Sequence, residues 1–380
     1  MVLSKNDPGY QQCSITVMDN IADPDIRFDE HGVCNYYYDY QQASKYVLTG
    51  EIADKELAKI VDTIKTRGRG KAYDCLIGVS GGVDSTYVAF LVKKLGLRPL
   101  AVHLDNGWNS ELAVKNIENI IHKLKIDLVT LVVDWQEFKD IQLSYLKASV
   151  VDIEVVSDHA IFASMYKLAR KHRIGYLISG TNIVTEHIMP PSWLYKKMDF
   201  ENLRDIHAQF GKIKLKTYPY YNFARHVYYS AVLKLSPISI LNYVPYKKKE
   251  IKKIIQKELD WRDYGGKHYE SIFTKFYQAY ILPEKFKIDK RKAHLSTLIC
   301  SGQMTRAEAL EELAQPLYAE SELQADKTYV LKKLSLSEED FLSIMSSPAR
   351  RHAEFKTDAH LKERYMNFLK RTQRLRRIFT

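Results

Sequence analysis

Residues 75–85 read Cys75-Leu76-Ile77-Gly78-Val79-Ser80-Gly81-Gly82-Val83-Asp84-Ser85. A short apolar run with no polar alternation predicts a buried strand, and the residues after Gly82 have the pattern of a helix. Between them two glycines and two hydroxyls stand where backbone N–H groups and a helix N-terminus face outward, a geometry that binds phosphate. Gly81 and Gly82 permit close backbone approach, Ser80 and Ser85 can donate to phosphate oxygens, and Asp84 can hold a Mg²⁺ that neutralises a leaving pyrophosphate. No Gly-Lys-Ser/Thr is present, so this is not the loop of ordinary γ-phosphate-transferring enzymes. The expected chemistry is cleavage of ATP to AMP and pyrophosphate.

Working outward, short apolar runs at 73–79, 99–104, 128–133 and 175–179 are separated by amphipathic helical stretches. That alternation predicts an α/β domain with a parallel sheet and helices on both faces, whose ligands sit beyond the carboxyl ends of the strands. Two further strand ends are polar: His103-Leu104-Asp105-Asn106-Gly107 and Ser179-Gly180-Thr181-Asn182. A bare strand-to-helix turn would account for Gly81-Gly82 alone, but not for three polar ends at one sheet edge. Residues 1–45 are turn-rich and aromatic and read as a small N-terminal module, 46–215 as the nucleotide domain. After residue 211 strand signals fade, and 216–380 is expected to be a mainly helical substrate or partner region.

The 380 residues, 46% of them hydrophobic, can bury a large core. The most apolar stretch, 227–244, is interrupted by Lys234 and Pro237, so no membrane span is expected, and a cytoplasmic location is the default. Four scattered cysteines (Cys13, Cys34, Cys75, Cys300) make no disulfide framework. The net charge of +11 fits an anionic partner without choosing among nucleic acid, nucleotides and nucleotide sugars.

The Ser-Gly-Gly-x-Asp-Ser loop resembles that of the ATP pyrophosphatase (PP-loop) superfamily. The resemblance implies a Rossmann-like PP-loop domain, adenine held near 102–105 (His103, Asp105), and a further phosphate or Mg²⁺ contact from Gly180, Thr181 and Asn182. Asp158 is a second metal candidate, equally explained as a helix cap. Three other segments extend the likeness over nearly the whole chain: Val17-Met18-Asp19 through Gly32-Val33-Cys34-Asn35-Tyr36, Tyr264-Gly265-Gly266-Lys267-His268-Tyr269-Glu270, and Ser301-Gly302-Gln303-Met304-Thr305-Arg306. In these the chain is similar to the N-acetyl sugar amidotransferases of bacterial O-antigen (LPS) and flagellin-glycan synthesis.

That family implies adenylation of an N-acetyl carbonyl on a UDP-linked 2,3-diacetamido uronic acid, then displacement of AMP by ammonia. Lys267, His268, Lys275 and Arg306 are the expected substrate or transition-state contacts, each otherwise a solvated helix-face charge. His268 and His103 could also manage protons. Ammonia is expected from free ammonium or a separate glutaminase subunit, with a cyclase-like companion, because neither Val2 nor Cys300 makes a glutaminase nucleophile.

The family's two Cys-x-x-Cys pairs are halved here. Thr16 and Tyr37 occupy the positions of the partner cysteines, and both are poor zinc ligands. A stable zinc site is not expected, and Cys13 with Cys34 would offer only a weak one. Two rival readings differ in class. A tRNA-modifying enzyme would grip phosphates with Arg371, Arg374, Arg376 and Arg377; a catalytically silent nucleotide-binding subunit would fit the lost cysteines, but the intact loop argues against it. The leading expectation involves no nucleic acid.

Overall fold

The computed structural model describes residues 6–265 and 269–378, without the side chains of 368, 369 and 371–378. Five parallel strands form one sheet in the order β3-β2-β1-β4-β5. They are β1 (Cys75–Gly78), β2 (Pro99–Asp105), β3 (Asp127–Val132), β4 (Tyr176–Ser179) and β5 (Ser236–Ser239). The register pairs Leu76 with Leu100 and with Leu177, and Ile77 with Ala101 and with Ile178.

Because successive strand side chains point to opposite faces, the central strands feed two separate cores. Ile77, Ala101 and Ile178 pack with Val88, Val92, Ile117 and Ile255 on one face. Leu76, Leu100, Val102 and Leu177 pack with Met165, Leu168, Tyr221 and Tyr229 on the other. Helices therefore cover both faces, as the strand–helix alternation predicts, and the apolar runs of the central strands are explained by burial on both sides.

Residues 216–380 are mainly helical, as expected, but include a strand that the sequence reading did not mark, β5. Ser236-Pro237-Ile238-Ser239 is four residues long and carries a proline. Proline is tolerated there because β5 is an edge strand, paired only with β4. Beyond it the chain is helical, from Lys248–Leu259 through Ala359–Ile378. This helical part joins the N-terminal module in a third core, where Cys13, Met18 and Cys34 share contacts with Phe276, Tyr277 and Ala293.

Among the described residues no helix is long and apolar enough to cross a membrane.

Candidate active site

Strand order reverses between β1's two neighbours, so the loop after β1 opens at the switch point where α/β sheets receive ligands. The loop 80–85 is closed on itself. Gly81 has φ +83°, and a Cβ there would stand 2.7 Å from the Ala113 carbonyl oxygen, so only glycine fits. The Ser80 and Ser85 hydroxyls lie 3.2 Å apart, the Gly82 amide donates to Ser80 Oγ at 3.3 Å, and Thr86 Oγ1 donates to the Gly82 carbonyl at 2.6 Å. Helix Val83–Lys94 starts at once, which keeps its N-terminal turn at the loop.

The end of β4 abuts this loop. A Cβ on Gly180 would come within 3.1 Å of Asp84 Cβ, so the glycine lets β4 pass close to the acidic residue. Thr181 Oγ1 lies 2.9 Å from Ser239 Oγ at the end of β5 and 3.0 Å from Ser179 Oγ. Asn182 is turned inward as the cap of the next short helix, accepting from Thr185 N at 2.9 Å.

A cavity of about 740 Å³ opens from the loop. Ser80, Gly82, Asp84, Ser85, Gly180 and Thr181 line it on the sheet side. Lys248 and Lys249, at the start of helix Lys248–Leu259, and Gln278, Lys290, His294 and Gln303 from the helical region line the rest. The loop's hydroxyls and amides and the lysines can meet a polyanion, beside the acidic side chains of Glu186, Asp263, Glu270, Asp289 and Glu312 that line the same cleft. Asp84 with the two serine hydroxyls offers only oxygen donors, which fits a hard cation such as Mg²⁺ held between protein and phosphates.

Several residues that close the site were not anticipated. The Trp261 indole donates to the Gly81 carbonyl at 2.8 Å, the Tyr246 hydroxyl donates to the Asp84 carboxylate, and Tyr264 and Glu270 reach Gly82. Burial and then the Asp84 charge push the Tyr246 phenol well above its ordinary range, so it stays a donor. Tyr264 and Glu270 lie in the segment 264–270 that carries part of the family likeness, whereas Tyr246 and Trp261 had no signal in the sequence.

The remaining expected site residues are placed as follows. His103 is buried, with Nδ1 2.9 Å from the Val79 carbonyl and Nε2 3.0 Å from Asn109 Nδ2, and Asp105 accepts the Gly107 amide at 2.9 Å. Neither lines the cavity, and nor do Asn182, Asp158, Lys275 or Arg306. Asp158 pairs with Lys197 at 3.1 Å. Lys275 pairs with Glu322 and Asp326, both at 3.1 Å; burial opposes its charge, but the two carboxylates prevail and its pKa rises. Arg306 donates to the Thr16 and Cys13 carbonyls at 3.0 and 3.2 Å and to Gln12, holding the N-terminal module. Lys267 and His268 lie outside the described residues, but their neighbours Gly265 and Tyr269 both line the cavity. The side chains of Arg371, Arg374, Arg376 and Arg377 also lie outside the described residues.

In the N-terminal module Cys13 and Cys34 are fully buried side by side. Cys13 Sγ accepts the amides of Thr16 and Cys34 at 3.4 and 3.3 Å, and Thr16 Oγ1 lies 3.7 Å from Cys34 Sγ. The hydrogen bond from Cys34 holds the Cys13 thiol below its ordinary value. His31, on the surface, pairs with Glu30 at 3.6 Å. Thr16 and Tyr37 in place of two thiolates leave Cys13 and Cys34 short of the four ligands of a structural zinc. Cys75 is buried in β1, and Cys300 ends helix Arg291–Cys300, where burial pushes its thiol to about 12; neither is poised as a nucleophile.

Comparison with known proteins matches two separate stretches of the chain. Residues 74–171 match the family described as queuosine biosynthesis protein QueC, and residues 270–372 match the LPS biosynthesis protein WbpG-like C-terminal domain. The GMP synthase [glutamine-hydrolyzing] of Pyrobaculum aerophilum is 36% identical over 77 residues, which are 20% of this chain and 15% of that protein. Among solved structures, a predicted subunit of tRNA methyltransferase from Methanocaldococcus jannaschii is similar at 14% identity, over 48% of this chain and 75% of that one, with a TM-score of 0.29. NMN synthetase from Francisella tularensis is similar at 15% identity, over 59% of this chain and 92% of that one, also with a TM-score of 0.29. With a QueC-like stretch at 74–171 and a WbpG-like C-terminal domain at 270–372, the chain fits the ATP pyrophosphatase (PP-loop) superfamily and a WbpG-like assignment.

Proposed function

We propose that this chain is an ATP-dependent amidotransferase acting on a UDP-linked 2,3-diacetamido uronic acid, forming an acetamidino sugar for O-antigen synthesis. The observation that carries the reading is the position of the phosphate-cradling loop opposite the WbpG-like domain, with Lys248 and Lys249 between them in one cavity. The relevant half-reactions balance as follows. The amide oxygen of the sugar's N-acetyl group attacks the α-phosphorus of ATP, and pyrophosphate leaves. Ammonia then adds to the activated imidate carbon, AMP departs with the former amide oxygen, and a proton is lost.

Amide resonance makes the unactivated carbonyl a poor electrophile, so the protein's task is positioning and charge stabilisation. Ser80, Ser85 and the loop amides would hold the β- and γ-phosphates, and the lysines would offset charge on the departing pyrophosphate. A bound Mg²⁺ at Asp84 would supply further charge neutralisation. Ammonia would come from a separate glutaminase subunit with a cyclase-like companion, because free ammonia in water is mostly protonated. A cytoplasmic site of action follows from the use of ATP and a nucleotide sugar.

The test incubates the chain with ATP, Mg²⁺, ammonium and UDP-2,3-diacetamido-2,3-dideoxymannuronic acid, following AMP and sugar mass together. AMP and a sugar lighter by about one mass unit, in equal amounts, are expected when NH replaces the carbonyl oxygen. AMP without a changed sugar would keep the nucleotide chemistry and reject the substrate. Salt-sensitive tRNA binding with tRNA-dependent AMP release would favour the RNA-modifying reading.

A further inference from the structure

Gln303 sits in the turn between helices Arg291–Cys300 and Arg306–Ala314, inside the WbpG-like domain. Its side chain crosses to the segment that enters helix Lys248–Leu259. Oε1 accepts the Lys248 amide at 3.0 Å, and Nε2 donates to the Tyr246 carbonyl at 3.2 Å and to Ser301 Oγ at 3.4 Å. A primary amide that meets an N–H and a C=O two residues apart fixes that backbone as a neighbouring strand would.

The clamped segment carries two groups that act on the nucleotide loop. Tyr246, 5% exposed and packed 5.9 Å from the Tyr87 ring, has one rigid place to put its hydroxyl, and that place is the Asp84 carboxylate. Lys248 starts the helix that lines the cleft. Gln303 and Met304 line the same cleft, so the turn that holds this clamp forms part of its wall. Three residues on, Arg306 fastens the turn to the N-terminal module.

We infer that Gln303 is a positioning residue for ATP cleavage: acting through Tyr246, it fixes the torsion of Asp84 and so joins the WbpG-like domain to the nucleotide loop. The inference rests on the proposed ATP chemistry. Neither residue touches the reacting atoms; each sets where the acidic side chain stands before a metal–nucleotide complex arrives, and fixed geometry of this kind is what a charged transition state requires.

The test measures binding of Mn²⁺ with a non-hydrolysable ATP analogue by calorimetry, without sugar, for the wild type, Gln303→Leu, Tyr246→Phe and the double variant. Each single variant is expected to bind about tenfold more weakly, corresponding to loss of one charge-assisted hydrogen bond or its support, with a melting temperature lowered by only a few degrees. The double variant should bind no more weakly than the worse single one, because both act on one path. Tyr246→Phe keeps the packed ring, so the test survives if Gln303→Leu does not fold. Unchanged affinity in folded variants, or losses that add in full, would overturn the inference while leaving the ATP reading intact. A wild-type chain that binds no metal–nucleotide at all would remove the ATP reading, and the inference with it.

Discussion

The indole N–H of Trp261 donates to the carbonyl of Gly81 at 2.8 Å, joining a residue of the helical region to the middle of the nucleotide loop. Gly81 is forced to a positive φ, so its carbonyl direction depends on this partner. Trp261→Phe removes the donor and keeps most of the buried ring. It should cost about 1 kcal/mol in urea unfolding and weaken ATP binding several-fold, since a buried acceptor is left without its partner. Full retention of nucleotide affinity would show that the loop holds its shape unaided.

Gly81→Ala acts on the same loop from inside. The added methyl meets the Ala113 carbonyl and the backbone must keep φ at +83°. Strain of about 1–2 kcal/mol is expected for a left-handed non-glycine residue before the clash is counted, so AMP formation should fall at least tenfold. Circular dichroism should be unchanged, because the residue lies outside the strand and helix it connects.

Asp84→Ala should abolish AMP formation while leaving the fold and sugar affinity in place. The carboxylate faces the cleft and accepts from Tyr246, and no core packing depends on it. Collapse of the melting transition would instead identify Asp84 as a structural residue.

Acid stability should follow two buried histidines. Burial lowers His159 and His352 from the ordinary histidine value to about 4. The Tyr221 amide donates to His159 Nε2 at 3.0 Å, which leaves Nδ1 as the protonated nitrogen facing the Lys197 carbonyl. Between about pH 6.5 and 4 the unfolded chain takes up protons that the folded one refuses, so stability present above pH 6.5 is lost as pH falls through this window. His159→Gln should flatten the decline measured by urea unfolding at pH 7 and pH 5; an identical decline would assign it to other groups.

Arg306→Ala should loosen the N-terminal module. Its guanidinium holds two backbone carbonyls and Gln12, supported by Lys292 against Asp19 at 2.5 Å. A loss of about 1–3 kcal/mol is expected, with faster amide exchange confined to residues 12–20. Metal analysis of the wild-type chain should find no stoichiometric zinc, because Thr16 and Tyr37 stand in place of two of the four thiolates.

The sequence by itself determined the strand of 75–78, the loop after it and the parallel α/β arrangement. Those features are local: an apolar run, a glycine pair and a helix start lie within about ten residues, and each strand's burial on two faces is written in its composition. It also marked Ser80, Asp84, Ser85, Gly180 and Thr181, which the sheet brings to one edge. Only the tertiary structure decided what surrounds them. β5 was illegible because four residues with a proline carry no period, and its strand state comes from the edge of β4. Tyr246 and Trp261 look like ordinary residues of a helical region until packing sets them against the loop; Gln303 stands in a segment the sequence marked, but its hold on Tyr246 did not show there; and Arg306, expected in the substrate site, holds the N-terminal module instead of lining the cleft. A polar side chain's type limits which bonds it can form, but its partner is chosen by chain segments far away in sequence, and that choice exists only once the cores have formed.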